Sequence, residues 1–207
     1  METLCLPAVE PGSIARALIV LQAGGLVAFP TDTVYGVGAL AFDGTAIEAI
    51  YAAKARLVEK AIPILIAEAD ELTKVAEHVP LMAQVLAARF WPGPLTLVVP
   101  KVSTLPESVS ATSSVAVRVP DHPIARALLR LAGPMAVTSA NLSGENSPVT
   151  ADEVMRQLGG RIQLVIDGGI TPGGRPSTLV DCLGETPRIL REGPITGKQL
   201  NLVLRDS

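Results

Sequence analysis

Apolar and polar positions fall into short blocks whose periods switch between helical and strand-like. Pro11-Gly12-Ser13 precedes an apolar run from Ile14 to Leu21, which predicts a helix with Ser13 as its cap. Gly24-Gly25 closes it, and Leu26-Val27-Ala28-Phe29, stopped by Pro30, predicts a short buried strand. Thr45 to Leu57 predicts a second helix, with Ile47, Ile50 and Tyr51 on one face. Ile62 to Ala67 reads as a strand in which Pro63 suits either an edge or the first residues. Helices are expected over Leu81 to Phe90, Pro123 to Leu131 and Ala151 to Leu158. Strands are expected over Leu95 to Val99, Val115 to Val119 and Met135 to Val137. The runs Gln163 to Ile166, Ser177 to Val180 and Arg188 to Leu190 add three more, and Lys101 to Ser114 reads as a long surface loop.

Strands and helices alternate, but some strands follow one another across turns alone. This favours an α/β fold with a twisted, mixed parallel and antiparallel sheet and flanking helices. With 207 residues, 48% of them hydrophobic, the chain suits one domain spanning 1–207. A chain of this size buries about 70% of its unfolded surface, so it needs neither disulfide nor metal for stability. Cys5 and Cys182 form no ligand or redox pattern and read as free thiols of a reducing cytosol. His78 and His122 stand alone, which gives poor support to a His-rich metal site or a Ser–His–Asp triad.

A net charge of −3 argues against broad electrostatic capture of nucleic acid, while leaving room for a local basic groove. The charge-free run between Arg16 and Asp32 is broken by Gln22, Gly24, Gly25 and Pro30, too often for a membrane span. Residues Met1 to Glu10 lack the features of a signal peptide, and a cytoplasmic protein is expected.

Four stretches could carry chemistry. Thr138-Ser139-Ala140-Asn141-Leu142-Ser143-Gly144 follows the apolar Met135-Ala136-Val137. It is either a well-capped loop or a strand-end pocket that grips polar ligands. Phe29-Pro30-Thr31-Asp32-Thr33-Val34-Tyr35-Gly36-Val37-Gly38 combines hydroxyls with glycines, but is neither a Walker loop nor a dinucleotide fingerprint. Lys54, Arg56 and Lys60 leave a helix end, where the dipole favours cations anyway. The other reading is a phosphate clamp. Arg118 sits among alternating valines in Ser114-Val115-Ala116-Val117-Arg118-Val119-Pro120; such an arginine either snorkels outward or is buried with an anion. Arg191 is similarly flanked by turn residues, and Trp91-Pro92-Gly93-Pro94 reads as architectural.

Seven motifs, in order, then carry a resemblance: Pro-Thr-Asp-Thr-Val-Tyr-Gly, Lys-x-Arg-x-x-x-Lys, Trp-Pro-Gly-Pro-Leu-Thr, Val-Arg-Val-Pro, Thr-Ser-Ala-Asn-Leu-Ser-Gly, Ser-Thr-Leu-Val-Asp and Leu-Arg-x-Gly. From about Gly24 to Gly193 the chain resembles the YrdC family of threonylcarbamoyl-AMP synthases, in its short form without an added C-terminal domain. The resemblance implies a sheet around a concave basic cavity. It also implies synthesis of threonylcarbamoyl-AMP and pyrophosphate from L-threonine, bicarbonate and ATP, with Mg2+ carried on the ATP phosphates. The product would pass to partner proteins that modify adenosine 37 of tRNA, with direct contact to tRNA or double-stranded RNA as a further expectation. By the same resemblance Thr33, Arg118, Ser139 and Ser177 surround the threonine, with Arg118 on its carboxylate. Arg56, Lys60, Ser114, Asn141 and Arg191 line the nucleotide site, Lys54 contacts phosphate, and Val149 offers backbone alone. Asp32 is a candidate to deprotonate the amine. Ala61-Ile62-Pro63 departs from the usual Pro-Leu after the basic motif, so the loop near Lys60 is expected to differ in shape. Two other readings are an RNA-binding module of this fold and a YciO-like paralogue that has lost efficient synthesis.

Overall fold

Ten strands form a single mixed sheet in the computed structural model, which describes residues 2–205. They are β1 (Leu4–Pro7), β2 (Val27–Phe29), β3 (Gly36–Leu40), β4 (Ile64–Leu65), β5 (Leu95–Pro100), β6 (Ser114–Arg118), β7 (Met135–Ser139), β8 (Leu164–Asp167), β9 (Thr178–Asp181) and β10 (Arg188–Arg191). The helices are α1 (Ser13–Gln22), α2 (Gly44–Lys54), α3 (Leu81–Phe90), α4 (Pro123–Ala132), α5 (Ala151–Leu158) and α6 (Gly197–Arg205), with a 3-10 turn over Ala69–Lys74. The strand order is β1-β8-β2-β3-β7-β4-β6-β5-β9-β10. Four parallel pairs (β1–β8, β2–β8, β4–β6, β5–β9) are interspersed with antiparallel ones, so the mixed sheet expected from the sequence is the sheet observed.

The register decides which residues share a face, because paired residues point to the same side and neighbours along a strand to opposite sides. Arg118 pairs with Leu65, and Leu65 with Met135. One face therefore carries Met135, Val137 and Ser139 of β7, Leu65 of β4, and Ser114, Ala116 and Arg118 of β6. Val98 pairs with Ala116 and Asp181, Thr96 with Leu179, and Leu179 with Arg191, which extends that face to β10.

The two faces are covered differently. Beneath one, α2, α3, α5 and α6 bury Ile47, Ile50, Leu86, Val154 and Leu200 against Val37, Ile64, Leu97, Val117 and Val165. On the other, α1 and α4 lay Ala17, Leu21, Leu128 and Leu129 over Phe29, Leu65, Met135 and Val137. That cover stops at β4. Beyond it, Ser114, Ala116, Val98, Leu179 and Asp181 are half-exposed on a bare half-sheet.

Several expected boundaries move, each for a local reason. Gly12, at φ 93°, caps α1, while the Ser13 hydroxyl donates instead to the Pro7 carbonyl at 2.7 Å. Helix α2 is capped by Asp43, whose carboxylate accepts from the Ala46 N–H at 3.0 Å. It stops at Lys54 rather than Leu57 because Ala55 takes the left-handed conformation, φ 49°. Strand β4 is interior and only two residues long; Pro63 precedes it, and its carbonyl accepts from the Val137 N–H. The expected surface loop over Lys101 to Ser114 is partly core, with Leu105 and Val109 buried. Cys5 and Cys182 are free thiols. Among the described residues no helix is long and apolar enough to cross a membrane.

Candidate active site

The bare half-sheet carries Arg118 at the end of β6. Arg118 is 6% exposed, and three of its guanidinium donors are already engaged: Nε with the Gly93 carbonyl (2.9 Å), Nη1 with Thr33 Oγ1 (3.0 Å) and Nη2 with Asp32 Oδ1 (2.5 Å). Of the two readings of a strand arginine, burial with an anion is the one observed. Its partners come from loops held in place locally. Thr31 Oγ1 donates to the Val34 carbonyl and accepts from the Thr33 and Val34 N–H groups, closing the Thr31–Val34 turn. The Trp91–Pro94 turn, read from sequence as architectural, supplies the Gly93 carbonyl while Trp91 Nε1 donates to Leu95 O at 2.7 Å.

Beside it, Arg191 donates from Nε to Ser177 O (3.0 Å) and from Nη2 to Ser177 Oγ (3.2 Å), and Ser177 Oγ lies 2.6 Å from Thr96 Oγ1. The glycine of Leu-Arg-x-Gly permits this approach. A Cβ on Gly193 would stand 2.3 Å from the Thr178 nitrogen. Across the sheet, Lys54 is 1% exposed and its ammonium donates to Ser139 O and Asn141 O, each at 2.5 Å. It fixes the Ser/Asn turn from behind. Asn141 donates to Leu142 O and Glu145 O, while its Oδ1 is buried without a partner. Arg56 donates to Lys60 O and Ala61 O, which shapes the departing loop after the basic motif, and Lys60 itself is exposed. Ser114 Oγ lies 3.0 Å from Thr112 Oγ1. Val149 stands apart: its N–H donates to Glu153 Oε2 and its carbonyl accepts from the Thr171 N–H.

Electrostatics link these groups. Burial pulls the guanidiniums of Arg118, Arg191 and Arg56 below their ordinary value. The charge of Arg191 presses Arg118 further down, and that of Arg56 does the same to Arg191. Asp32 opposes the shift at Arg118. Burial, then the Arg56 charge, pushes the Lys54 ammonium down to about 7. Two surface cavities, of about 420 and 300 Å³, lie elsewhere, around Phe42 and around Glu68.

The structure thus brings Thr33 to Arg118, Ser177 to Arg191, and Lys54 to the Ser139–Asn141 turn. Sequence reasoning passed over Gly93, whose role is a carbonyl that no side-chain motif reveals. It also passed over Thr96, visible only as the hydroxyl closing Trp-Pro-Gly-Pro-Leu-Thr.

Fold and site together define an α/β protein that gathers arginines and hydroxyls at the half-bare end of a mixed sheet. The profile of the Sua5/YciO/YrdC family, described as "Telomere recombination", matches residues 19–193, and the chain belongs to that family. A Bacillus subtilis protein named threonylcarbamoyl-AMP synthase is 44% identical, over 92% of this chain and 56% of its own length. A Pyrococcus abyssi protein of the same name is 41% identical, over 95% of this chain and 58% of its own. The chain thus spans somewhat over half the length of these relatives. Among solved structures, P. abyssi Sua5 complexed with L-threonine superposes with a TM-score of 0.93 at 40% identity, covering 99% of this chain and 61% of that one. Escherichia coli YciO superposes at 0.83 with 26% identity, covering 96% and 98%.

Proposed function

We propose that this chain makes threonylcarbamoyl-AMP and pyrophosphate from L-threonine, bicarbonate and ATP, acting as a nucleotidyltransferase. The observation that carries the reading is the series of Arg118, buried against Asp32 at the end of β6, Arg191 on β10 and Arg56 after α2, with the charge of Arg191 acting on Arg118 and that of Arg56 on Arg191. Arg118, with Thr33 and Ser177 at hand, takes the threonine carboxylate, and Ser139 lies at the far side of the same face. Arg56, Lys60, Ser114, Asn141 and Arg191 take the nucleotide. Lys54, sealed behind the Ser139–Asn141 turn, positions that turn, and Val149 contributes backbone alone.

The amine of the held threonine adds to bicarbonate to give a carbamate, whose oxygen attacks the α-phosphorus of ATP as pyrophosphate leaves. Such chemistry needs positioning and charge neutralisation rather than a covalent enzyme intermediate. Mg2+ enters as part of the nucleotide, neutralising the phosphates when bound. The donor set here fits that role, since Arg56, Lys60, Ser114 and Asn141 address the anion and leave the cation to the phosphates. The protein would work in the cytoplasm, handing its product to tRNA-modifying proteins, with contact to RNA confined to local basic surface.

The test is pyrophosphate release from ATP, with threonine and bicarbonate omitted in turn. Release that requires both is expected. No release, with salt-sensitive binding of structured RNA instead, would replace the synthase with the binding-module reading.

A further inference from the structure

A hydroxyl carries one proton, so its partners decide whether it offers a ligand that proton or only a lone pair. Thr31 Oγ1 lies 2.7 Å from the Val34 carbonyl, which can only accept, so the Thr31 proton is committed there. The proton in the 3.0 Å contact between Thr31 Oγ1 and Thr33 Oγ1 therefore belongs to Thr33. Thr33 Oγ1 also receives Arg118 Nη1 at 3.0 Å, which leaves it one lone pair and no proton to give. Its chain neighbour Asp32 adds negative charge at this end. Asp32 Oδ1 accepts from Arg118 Nη2 and from the Asp121 N–H, and Oδ2 has no partner among the described residues. The hydroxyls beside Arg191 have the opposite polarity. Arg191, whose charge acts on Arg118, donates from Nη2 to Ser177 Oγ at 3.2 Å. Ser177 Oγ and Thr96 Oγ1 stand 2.6 Å apart, and neither hydroxyl meets a carbonyl or carboxylate among the described residues. Only one of their two protons fits between them, so the other is left for an acceptor brought from outside.

We propose that Thr31 is a positioning residue: by taking the Thr33 proton it makes Thr33 an acceptor, so that bound threonine turns its α-ammonium to Thr33 and its carboxylate to Arg118 and Ser177. This deepens the synthase reading and rests on it. An acceptor can receive the ammonium or the side-chain hydroxyl of the substrate, but not its carboxylate. Between those two, the charge of Asp32 selects the cation. At the other end, a carboxylate satisfies the spare proton of the Thr96–Ser177 pair together with the guanidiniums of Arg118 and Arg191. The two ends are close enough for one small amino acid. Thr33 is a single hydrogen bond from Arg118, and a single carbon separates ammonium from carboxylate. Thr31 itself touches no substrate; it acts only through the direction of the Thr33 proton.

The experiment compares binding of L-threonine with binding of (R)-3-hydroxybutanoate, which is threonine with its ammonium replaced by hydrogen, in NMR titrations of the full chain. Thr33→Val should weaken threonine by about 10-fold or more and leave (R)-3-hydroxybutanoate within about twofold of the original. Thr31→Val should lower the preference for threonine over (R)-3-hydroxybutanoate by about fivefold or more, because the freed Thr33 proton can then turn toward the ligand. Thr31→Ser, which keeps the hydroxyl, should restore that preference. Equal losses of both ligands in Thr33→Val would overturn the proposal. So would an unchanged preference in Thr31→Val, since damage to the turn alone lowers both ligands alike. If Thr31→Val does not fold, Thr33→Val and Thr33→Ser decide, because both leave the bond from Thr31 to Val34 in place. Threonine bound with the expected preference, but without threonine-dependent pyrophosphate release, would defeat the synthase reading and leave the orientation standing. A protein that binds no threonine would overturn both.

Discussion

One sheet face, two halves, two chemistries. Under α1 and α4 the residues pointing outward are Met135, Val137, Leu65 and Phe29. Beyond β4, with the same pleat and no helix above, they become Ser114, Ala116 and Arg118 on β6 and, at the far edge, Arg191 on β10. The backbone treats both halves alike, so the difference lies in what covers them. Where helices exclude water the side chains must be apolar. Where nothing covers the sheet, hydroxyls and guanidiniums can be held by backbone carbonyls and kept for a ligand.

The largest effect should come from disturbing the cover. Leu128→Ala, a fully buried position of α4, should cost about 3 kcal/mol in urea unfolding, while the folded fraction still binds threonine within about twofold. A change of that size in threonine affinity instead would mean that the halves are not separable.

On the bare half, Arg118→Ala should weaken threonine binding by about 100-fold with ATP binding largely kept, since it removes one partner of a buried charge pair. Arg56→Ala should do the reverse. Titration calorimetry with each ligand separately checks this, and equal losses of both ligands in both variants would abolish the division of the site.

Lys54 stands between the halves, and its effect is a pH dependence. Its folded value, about 7, lies below the ordinary lysine value of about 10.4, so in this window the unfolded chain binds more protons than the folded one. Its contribution to stability is complete above the ordinary value and is lost as pH falls through about 7. Relative to Lys54→Met, the unmodified chain should therefore gain stability between pH 7 and 9, by at most about 1.4 kcal/mol per unit. A flat difference would place the ammonium in a more polar setting than its burial suggests. The smallest effect is Ala116→Ser, half-exposed on the bare sheet, which should stay within about 0.5 kcal/mol of the original in thermal unfolding.

How far the sequence foretold this depended on whether order was local. Helices α3 and α5 run over the residues expected, because apolar spacing and flanking Pro80 and Thr150 act within a few residues. Strand β3 was hidden by its glycines, which looked like a ligand loop. In the sheet they let β3 close on β7, since a Cβ on Gly38 would lie 2.6 Å from Ala136 O. Strand β1 escaped notice because it is an edge with mostly exposed side chains, and α6 because its apolar face is narrow. In the site, the motifs named Arg118, Thr33, Ser177 and Arg191 as participants. Which partner each one holds came only from the fold, because Asp32 and Arg118 are 86 residues apart and Lys54 and Asn141 are 87 apart.

The strand order also bears on how the chain is made. Strand β8 lies between β1 and β2, pairing Leu4 and Val27 with the same Leu164. During synthesis β1 therefore has no neighbour, and β2 has one open edge, until residue 167 has left the ribosome. At about 5–20 residues per second that is a wait of about 7 to 32 seconds. The edge is mostly apolar, and a nascent chain in that interval offers chaperones, or a second nascent chain, a slot shaped for a parallel strand.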